Sequence, residues 1–128
     1  MFSHVMLGSN DLEASKKFYD ATLSVLGHPE PVQDPKGRYF YRTSTGVFGI
    51  TTPINGEEAC HGNGSTLGFS ATSPEQVDAW HEAGLANGGV AIEDPPGIRE
   101  GGGVQLYLAY LRDPSGNKVC ALYRVPKD

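Results

Sequence analysis

A pattern of short strand, polar cap, amphipathic helix and terminal glycine occurs twice along this chain, and few folds accommodate that. The stretch His4-Val5-Met6-Leu7-Gly8-Ser9-Asn10-Asp11-Leu12 is answered by Thr66-Leu67-Gly68-Phe69-Ser70-Ala71-Thr72-Ser73-Pro74. Laying His4 on Thr66 also puts Asp11 on Ser73, Phe18 on Trp80, Leu23 on Leu85 and Gly27 on Gly89. Most identities differ, so what repeats is the pattern. Self-similarity at a fixed spacing marks a fold assembled from one repeated unit. The chain is therefore expected to be a single domain made of one module used twice. Module one spans about residues 1–53, a linker about 54–64, and module two about 65–128. A chain of 128 residues is of single-domain length, and such a domain buries ~65–70% of its unfolded surface.

Within the first unit, Ser3, Val5 and Leu7 alternate with Phe2, His4, Met6 and Gly8, as in a strand with two unlike faces. Asp11 or Asn10 then caps a helix, with Glu13 in its first turn favouring the dipole. Leu12, Ser15, Phe18, Tyr19, Thr22, Leu23 and Leu26 form the buried stripe, while Lys16, Lys17 and Asp20 face away. Gly27 and Pro29 end it. Asp34-Pro35-Lys36-Gly37 and Ser44-Thr45-Gly46 are turns around an aromatic-rich strand from Arg38 to Thr43, and Val47 to Thr52 completes a hairpin.

The second unit repeats this order. Ser73-Pro74-Glu75-Gln76 combines a serine cap, proline at the first helical position and Gln76 able to complete a capping box. Val77, Trp80, His81, Gly84 and Leu85 make its buried stripe, ending at Asn87-Gly88-Gly89. A strand near Val90 to Ile92 is expected next, then a loop from Asp94 to Gly103 carrying Arg99. Val104 to Leu111 and Lys118 to Arg124 are strands joined by the turn Asp113-Pro114-Ser115-Gly116-Asn117. Each module thus reads βαβββ.

Composition narrows the function classes. A net charge of −5 argues against nucleic acid and anionic membranes as partners. Nothing reads as a transmembrane span, and no basic segment followed by an apolar run suggests a signal peptide. Cys60 and Cys120 stand far apart without C-x-x-C spacing, which suits two free thiols in a reducing cytoplasm. One side of each opening strand (Val5 and Leu7; Leu67 and Phe69) should meet its helix. The other side carries His4, Met6, Thr66, Gly68 and Ser70, too polar for a packed core and too uncharged for a solvated face. A ligand cavity fits that composition.

These residues resemble the vicinal oxygen chelate superfamily, which includes glyoxalase, bleomycin-resistance proteins and extradiol dioxygenases. The resemblance rests on Phe2-Ser3-His4-Val5, Asp11-Leu12-Glu13-Ala14-Ser15-Lys16-Lys17-Phe18-Tyr19, Gly62-Asn63-Gly64-Ser65-Thr66-Leu67-Gly68-Phe69 and Tyr110-Leu111-Arg112-Asp113-Pro114-Ser115-Gly116-Asn117-Lys118. It covers nearly the whole chain in order, and the D-P-x-G-N turn is its most specific piece. It implies an α+β fold in which two βαβββ modules form a cup-shaped mixed sheet.

In the family's enzymes a divalent metal sits in the cup on a His of the first strand and a His of the fifth, completed by carboxylate or amide side chains from strands four and eight. Of these places only His4 matches as a metal ligand; Thr66 stands at the fifth-strand place and Cys120 at the eighth. Aligning Thr45-Gly46 on Ser115-Gly116 puts Ile50 at the fourth-strand place. Catalytic metal sites need three or more donors, so no cofactor is expected unless His61, Glu57 or Glu58 folds in from the linker. The expected function is binding of a small organic molecule in a cavity including His4, Met6, Phe48, Ile50, Thr66, Gly68, Cys120 and Leu122. The alternatives are a glyoxalase-like metal-dependent lyase or dioxygenase, and an enzyme using the Cys120 thiol paired with His4. Paired concave sheets with uncovered edges imply a homodimer. The faces of Tyr39, Tyr41, Tyr107 and Tyr110 are open, because hairpin register is not set by sequence alone.

Overall fold

The computed structural model describes residues 1–127. β1 (His4–Gly8), α1 (Leu12–Val25), β2 (Val32–Gln33), β3 (Tyr39–Thr43) and β4 (Gly46–Thr51) form the first module. β5 (Leu67–Ser70), α2 (Pro74–Ala86), β6 (Val90–Gly101), β7 (Val104–Arg112) and β8 (Lys118–Arg124) form the second. Each module is a four-stranded mixed sheet, ordered β1-β4-β3-β2 and β5-β8-β7-β6. The opening strand lies parallel to the last strand of its module, and the remaining pairings are antiparallel. The Ser9 amide donates to Thr51 and the Ala71 amide to Leu122, so the two ladders end in the same way.

The helices begin and end as their sequences dictate. Asp11 caps α1 by accepting from the Ala14 amide, and Ser73 caps α2 by accepting from Gln76. Gln76 does not close a capping box on Ser73. Its Oε1 accepts from the Thr72 amide at 2.7 Å and its Nε2 donates to the Val25 carbonyl at the end of α1. The cap of one helix thereby holds the terminus of the other. Gly27 and Gly88 take the left-handed conformation, and the amides of His28 and Gly89 reach back to Leu23 and Gly84 in Schellman closures.

Both helices contribute to one core. Phe18, Tyr19, Leu23, Tyr41, Ile50, Val77, Trp80, Leu111 and Val119 are almost wholly buried. Gly84 is required there, since a Cβ would collide with Leu111 and lie 3.1 Å from the Phe18 ring. Leu85 departs from the expected stripe and lies exposed. The expected loop after Ile92 is instead strand: β6 slips register between Ile92 and Gly97 and then pairs with β7 as far as Gly101. Gly102 and Gly103, both at positive φ, make the two-residue turn that closes this hairpin.

Core-face tyrosines tie each sheet to its helix. The Tyr39 hydroxyl donates to Glu13 at 2.7 Å, Tyr41 to Asp20 at 2.8 Å, and Tyr107 to Asp78 at 2.7 Å. Tyr110 points to the opposite face, level with Cys120. A fourth bond joins the modules: Tyr19 of α1 donates to the buried Asp113 carboxylate at 2.6 Å. That carboxylate also accepts from the amides of Ser115 and Asn117 and from Asn117 Nδ2. Asn117 Nδ2 is shared with the Gly8 carbonyl at the end of β1.

Replacing Asp113 by Ala leaves the Tyr19 hydroxyl and the turn amides without their acceptor and should cost about 3 kcal/mol in urea denaturation. Tyr19→Phe leaves the carboxylate its other donors and should cost about half as much, ~1.5 kcal/mol. Equal losses for the two variants would contradict this assignment.

Stability should also have an alkaline limit. Burial, then the nearby carboxylates of Asp113 and Asp20, raises the Tyr19 and Tyr41 hydroxyls above the ordinary phenol range. A raised folded-state pKa means the unfolded chain ionises first, at pH ~10. The contribution of the neutral phenols is complete below that pH and is lost as pH rises beyond it. Urea midpoints should hold from pH 7 to about 9 and fall above about 10; an unchanged midpoint at pH ~11 would refute the coupling.

Candidate functional site

Register sorts side chains into a helix-covered face and a far face on each sheet. In the first sheet His4 pairs with Val47 and Met6 with Gly49, while Phe40 lies across from Gly49 and Arg42 across from Val47. These six share the far face. In the second, Gly68 pairs with Cys120 and Ser70 with Leu122, which face away from α2 with Leu108 and Tyr110. His4, Met6, Gly68, Cys120 and Leu122 therefore lie on the faces assigned to them, and Thr66 is exposed just ahead of β5.

Phe48 and Ile50 do not. They alternate with Val47 and Gly49 and belong to the core, Ile50 at 1% exposure. The error comes from matching the hairpin glycines. Only Ser44 and Thr45 connect the paired Thr43 and Gly46, whereas Asp113 to Asn117 separate Arg112 from Lys118. The two loops differ by an odd number of residues, and an odd slip moves every side chain to the other face. The residue level with Cys120 is Gly49.

The modules meet differently at their two ends. At one, Asn117 before β8 bonds the end of β1 at Gly8. The pseudo-equivalent place sets Gly46 against Ser70 at the end of β5, and there the structure is hollow. A cavity of about 380 Å³ is lined by residues including Phe2, His4, His28, Tyr41, Phe48 and Phe69, with Gly46, Gly68 and Ser70 also on its wall. Phe48 packs edge-on against Phe69 with centroids 5.3 Å apart, giving the hollow an aromatic back. Ser3 Oγ lies 2.7 Å from His4 Nδ1, leaving Nε2 available. Thus His4, Gly68 and Phe48 border one cavity. Met6 lies in a neighbouring hollow of about 320 Å³ that shares His4 and Val47 with the first. Cys120 and Leu122 border neither, and Ile50 lies behind the sheet.

A sequence profile of the Glyoxalase/Bleomycin resistance protein/Dioxygenase superfamily matches residues 1–121. The chain belongs to this superfamily. Among solved structures it is 67% identical to a glyoxalase/bleomycin resistance protein from Albidiferax ferrireducens T118, with a TM-score of 0.94 over 97% of this chain and 99% of that one. A glyoxalase/bleomycin resistance protein/dioxygenase family enzyme from Burkholderia phytofirmans PsJN is 21% identical, with a TM-score of 0.73 over 96% and 98% of the two chains. A lactoylglutathione lyase from Agrobacterium tumefaciens is 21% identical, with a TM-score of 0.64 over 96% and 92%. At such identities the last two are likenesses of fold. No curated protein matches the chain.

The metal-ligand places of the superfamily hold a poor donor set here. With the corrected register they are His4, Gly49, Thr66 and Cys120. Among the described residues no three His, Cys, Asp or Glu side chains converge as a metal site. The space a ligand at position 49 would use belongs to Met6: a Cβ there would lie 2.7 Å from Met6 Cε, with Sδ nearer still. Cys120 Sγ is 3.1 Å from the Cβ position of Gly68. In both modules a sulfur side chain thus lies over a glycine where the metal enzymes carry donors. His61 stays beside Gly116 at the turn before β8, and Glu57 is exposed in the linker and bonded to Asn55. One imidazole, a hydroxyl and a thiol do not make a tight site for a hard divalent ion.

Reading the sequence alone misses Gly49, Phe40 and Arg42 as far-face residues. The signal that finds them is the strict alternation of Tyr39-Phe40-Tyr41-Arg42 once the two-residue turn at Ser44 and Thr45 is recognised.

Cys120 is 5% exposed, and burial pushes its thiol up to about 11, with Lys118 opposing and Glu93 reinforcing the shift. This is the reverse of an activated nucleophile. Iodoacetamide at pH 8 should label Cys60, which is exposed, and spare Cys120, whose labelling should rise only toward pH 11. Rapid labelling of Cys120 at neutral pH, read by peptide mass spectrometry, would reinstate the thiol reading.

Proposed function

We propose that this superfamily member binds a small organic molecule in the hollow between its modules and does not use a metal centre for Lewis-acid catalysis. One observation carries the reading: an aromatic-backed cavity of about 380 Å³ stands at the module junction, while the superfamily's donor places other than His4 hold Gly49, Thr66 and Cys120, none of which lines it. That volume is within the range of ligand pockets, roughly 300–1,000 Å³. The wall combines an apolar body (Val5, Leu23, Phe48, Phe69) with a few hydrogen-bonding groups (His4, His28, Thr43, Ser70), the usual division between affinity and orientation. The lyase named for the Agrobacterium relative is not carried over, because that likeness is one of fold.

The working unit in this reading is a homodimer inside the reducing part of a cell. Its support is the long β6 edge, which among the described residues pairs with β7 alone, together with exposed Val90 and Ile98 on that strand. Two unpaired cysteines fit such a compartment. Among the described residues no helix is long and apolar enough to cross a membrane.

The test has two arms. Protein purified without chelator or His-tag should carry less than stoichiometric divalent metal. It should show no lyase activity toward the methylglyoxal–glutathione hemithioacetal when supplied with Zn, Ni, Co or Mn. The fluorescent probe 8-anilino-1-naphthalenesulfonate should bind the native protein, and Ser70→Trp, which fills the cavity from an exposed strand position, should abolish that binding while shifting stability by no more than ~0.5 kcal/mol. Stoichiometric metal, with activity lost in His4→Ala, would overturn the metal-free reading.

A further inference from the structure

The chain is acidic overall, yet its far sheet faces are basic. Of ten Lys and Arg residues, Arg38, Arg42, Arg99, Arg112, Lys118 and Arg124 alternate onto those faces. Among the described residues two acidic side chains form ion pairs with them: Asp34 holds Arg38 at 2.7 Å and Glu93 is paired with Lys118. The surplus of acid lies elsewhere, on α2 (Glu75, Asp78, Glu82) and in the linker (Glu57, Glu58). A chain of net negative charge thus presents cationic side chains on the sheet faces turned away from its helices.

The sharpest concentration is the smaller hollow of the first sheet, lined by Ser3, His4, Met6, Arg38, Phe40, Arg42 and Val47. Its floor is apolar: the Phe40 ring and the Met6 thioether, which fills the place vacated by a side chain at Gly49. Its rim is charged. The Arg38 and Arg42 guanidiniums lie 5.1 and 5.5 Å from the Phe40 centroid on the same far face. Arg38 is committed to the Asp34 turn. Arg42 is exposed and, among the described residues, pairs with no carboxylate. Resting against an aromatic ring leaves a guanidinium its N–H edge for a planar or tetrahedral anion. His4, Val47 and Arg42 are successive residues of one row across β1, β4 and β3. His4 and Arg42 are therefore two strand spacings apart, roughly 10 Å, a span that fits a small aromatic acid.

We propose that this hollow selects an organic anion, its carboxylate or phosphate on Arg42 with His4 opposite, and its apolar body across Phe40 and Met6. The proposal rests on the small-molecule reading above and names the ligand class for it. His4 and Val47 are common to this hollow and the larger cavity, so one ligand can engage both.

The experiment uses three probes of matched shape, 1-naphthoate, 1-naphthyl phosphate and neutral 1-naphthamide, titrated calorimetrically into the wild-type chain and Arg42→Gln. At least one anion should bind about tenfold or more tighter than the amide, as a charge-assisted bond to Arg42 requires. Which anion gains more tells carboxylate from phosphate recognition. Arg42→Gln should erase the preference, weakening the favoured anion about tenfold more than the amide, with the thermal midpoint unchanged. Equal binding of all three probes, or an anion preference that survives Arg42→Gln, overturns this inference and leaves the small-molecule reading standing. Failure of every probe to bind at millimolar concentration removes both.

Discussion

The Asp113 carboxylate is the point on which the two halves of this molecule depend. It is 4% exposed and among the described residues pairs with no cation, so hydrogen-bond donors must satisfy it. Two come from the turn amides of Ser115 and Asn117, a third from the Asn117 side chain, and the fourth from Tyr19 of the other module. The turn is thereby fixed before it meets anything else. Asn117 can then offer its remaining proton to Gly8, and Ser115 Oγ accepts from the Asn10 amide. A single buried charge thus sets the β7–β8 turn, the start of β8, the end of β1 and the face of α1. Burial of the Tyr19 ring beside Phe18 and Phe48 adds apolar contact behind the bond.

Duplication alone would place an equivalent clasp at the other end of the pseudo-twofold. It is absent because the sequence differs at the residues that count. The partner of Asn117 is Gly46, with no side chain to reach Ser70, and the β3–β4 turn is too short to hold a buried carboxylate. Ser44 and Thr45 close it with Thr43 Oγ1 bonding the Gly46 carbonyl instead. Where the first end is stitched shut, the second stays open, and the gap between Val47, Phe48 and the β5 residues becomes the cavity. The asymmetry that opens the cavity is thus a shorter loop and an absent side chain in one copy of a repeated unit.

Much of this was legible from the chain. The helix caps, the glycine stops, the D-P-x-G-N turn and the core stripe of α1 depend on local chemistry, which a sequence displays directly. The βαβββ order followed because a strand, cap and helix recur in phase. What failed depended on counting across loops. Equating the two hairpin glycines places Ile50 in the cup, although one glycine sits at a strand start and the other inside a longer turn. Pro95, Pro96 and Gly97 signal a break in sequence, but they form a register shift, with Glu93 at φ 59, inside a strand that resumes at Gly97. Alternation along β1 gives Met6 its face, but its role as the group that fills the space above Gly49 is a matter of distances between strands, which sequence does not carry.

The far face explains why this scaffold can lose its donors without collapsing. A cup carrying carboxylates on strands four and eight without an ion would leave each partly desolvated and repelling the other. Here Gly49 and Met6, and Gly68 and Cys120, put polarizable sulfur against backbone, and neither cost arises. The charge on this face lies instead on Arg38 and Arg42 of β3 and its approach, and at the two ends of β8, on Lys118 and Arg124. A central metal would draw a ligand through its oxygens to one point. A rim of guanidiniums around a soft floor holds one by its edge and its apolar plane together, and on the proposed reading that change in where the charge sits is what separates recognition from Lewis-acid chemistry in this chain.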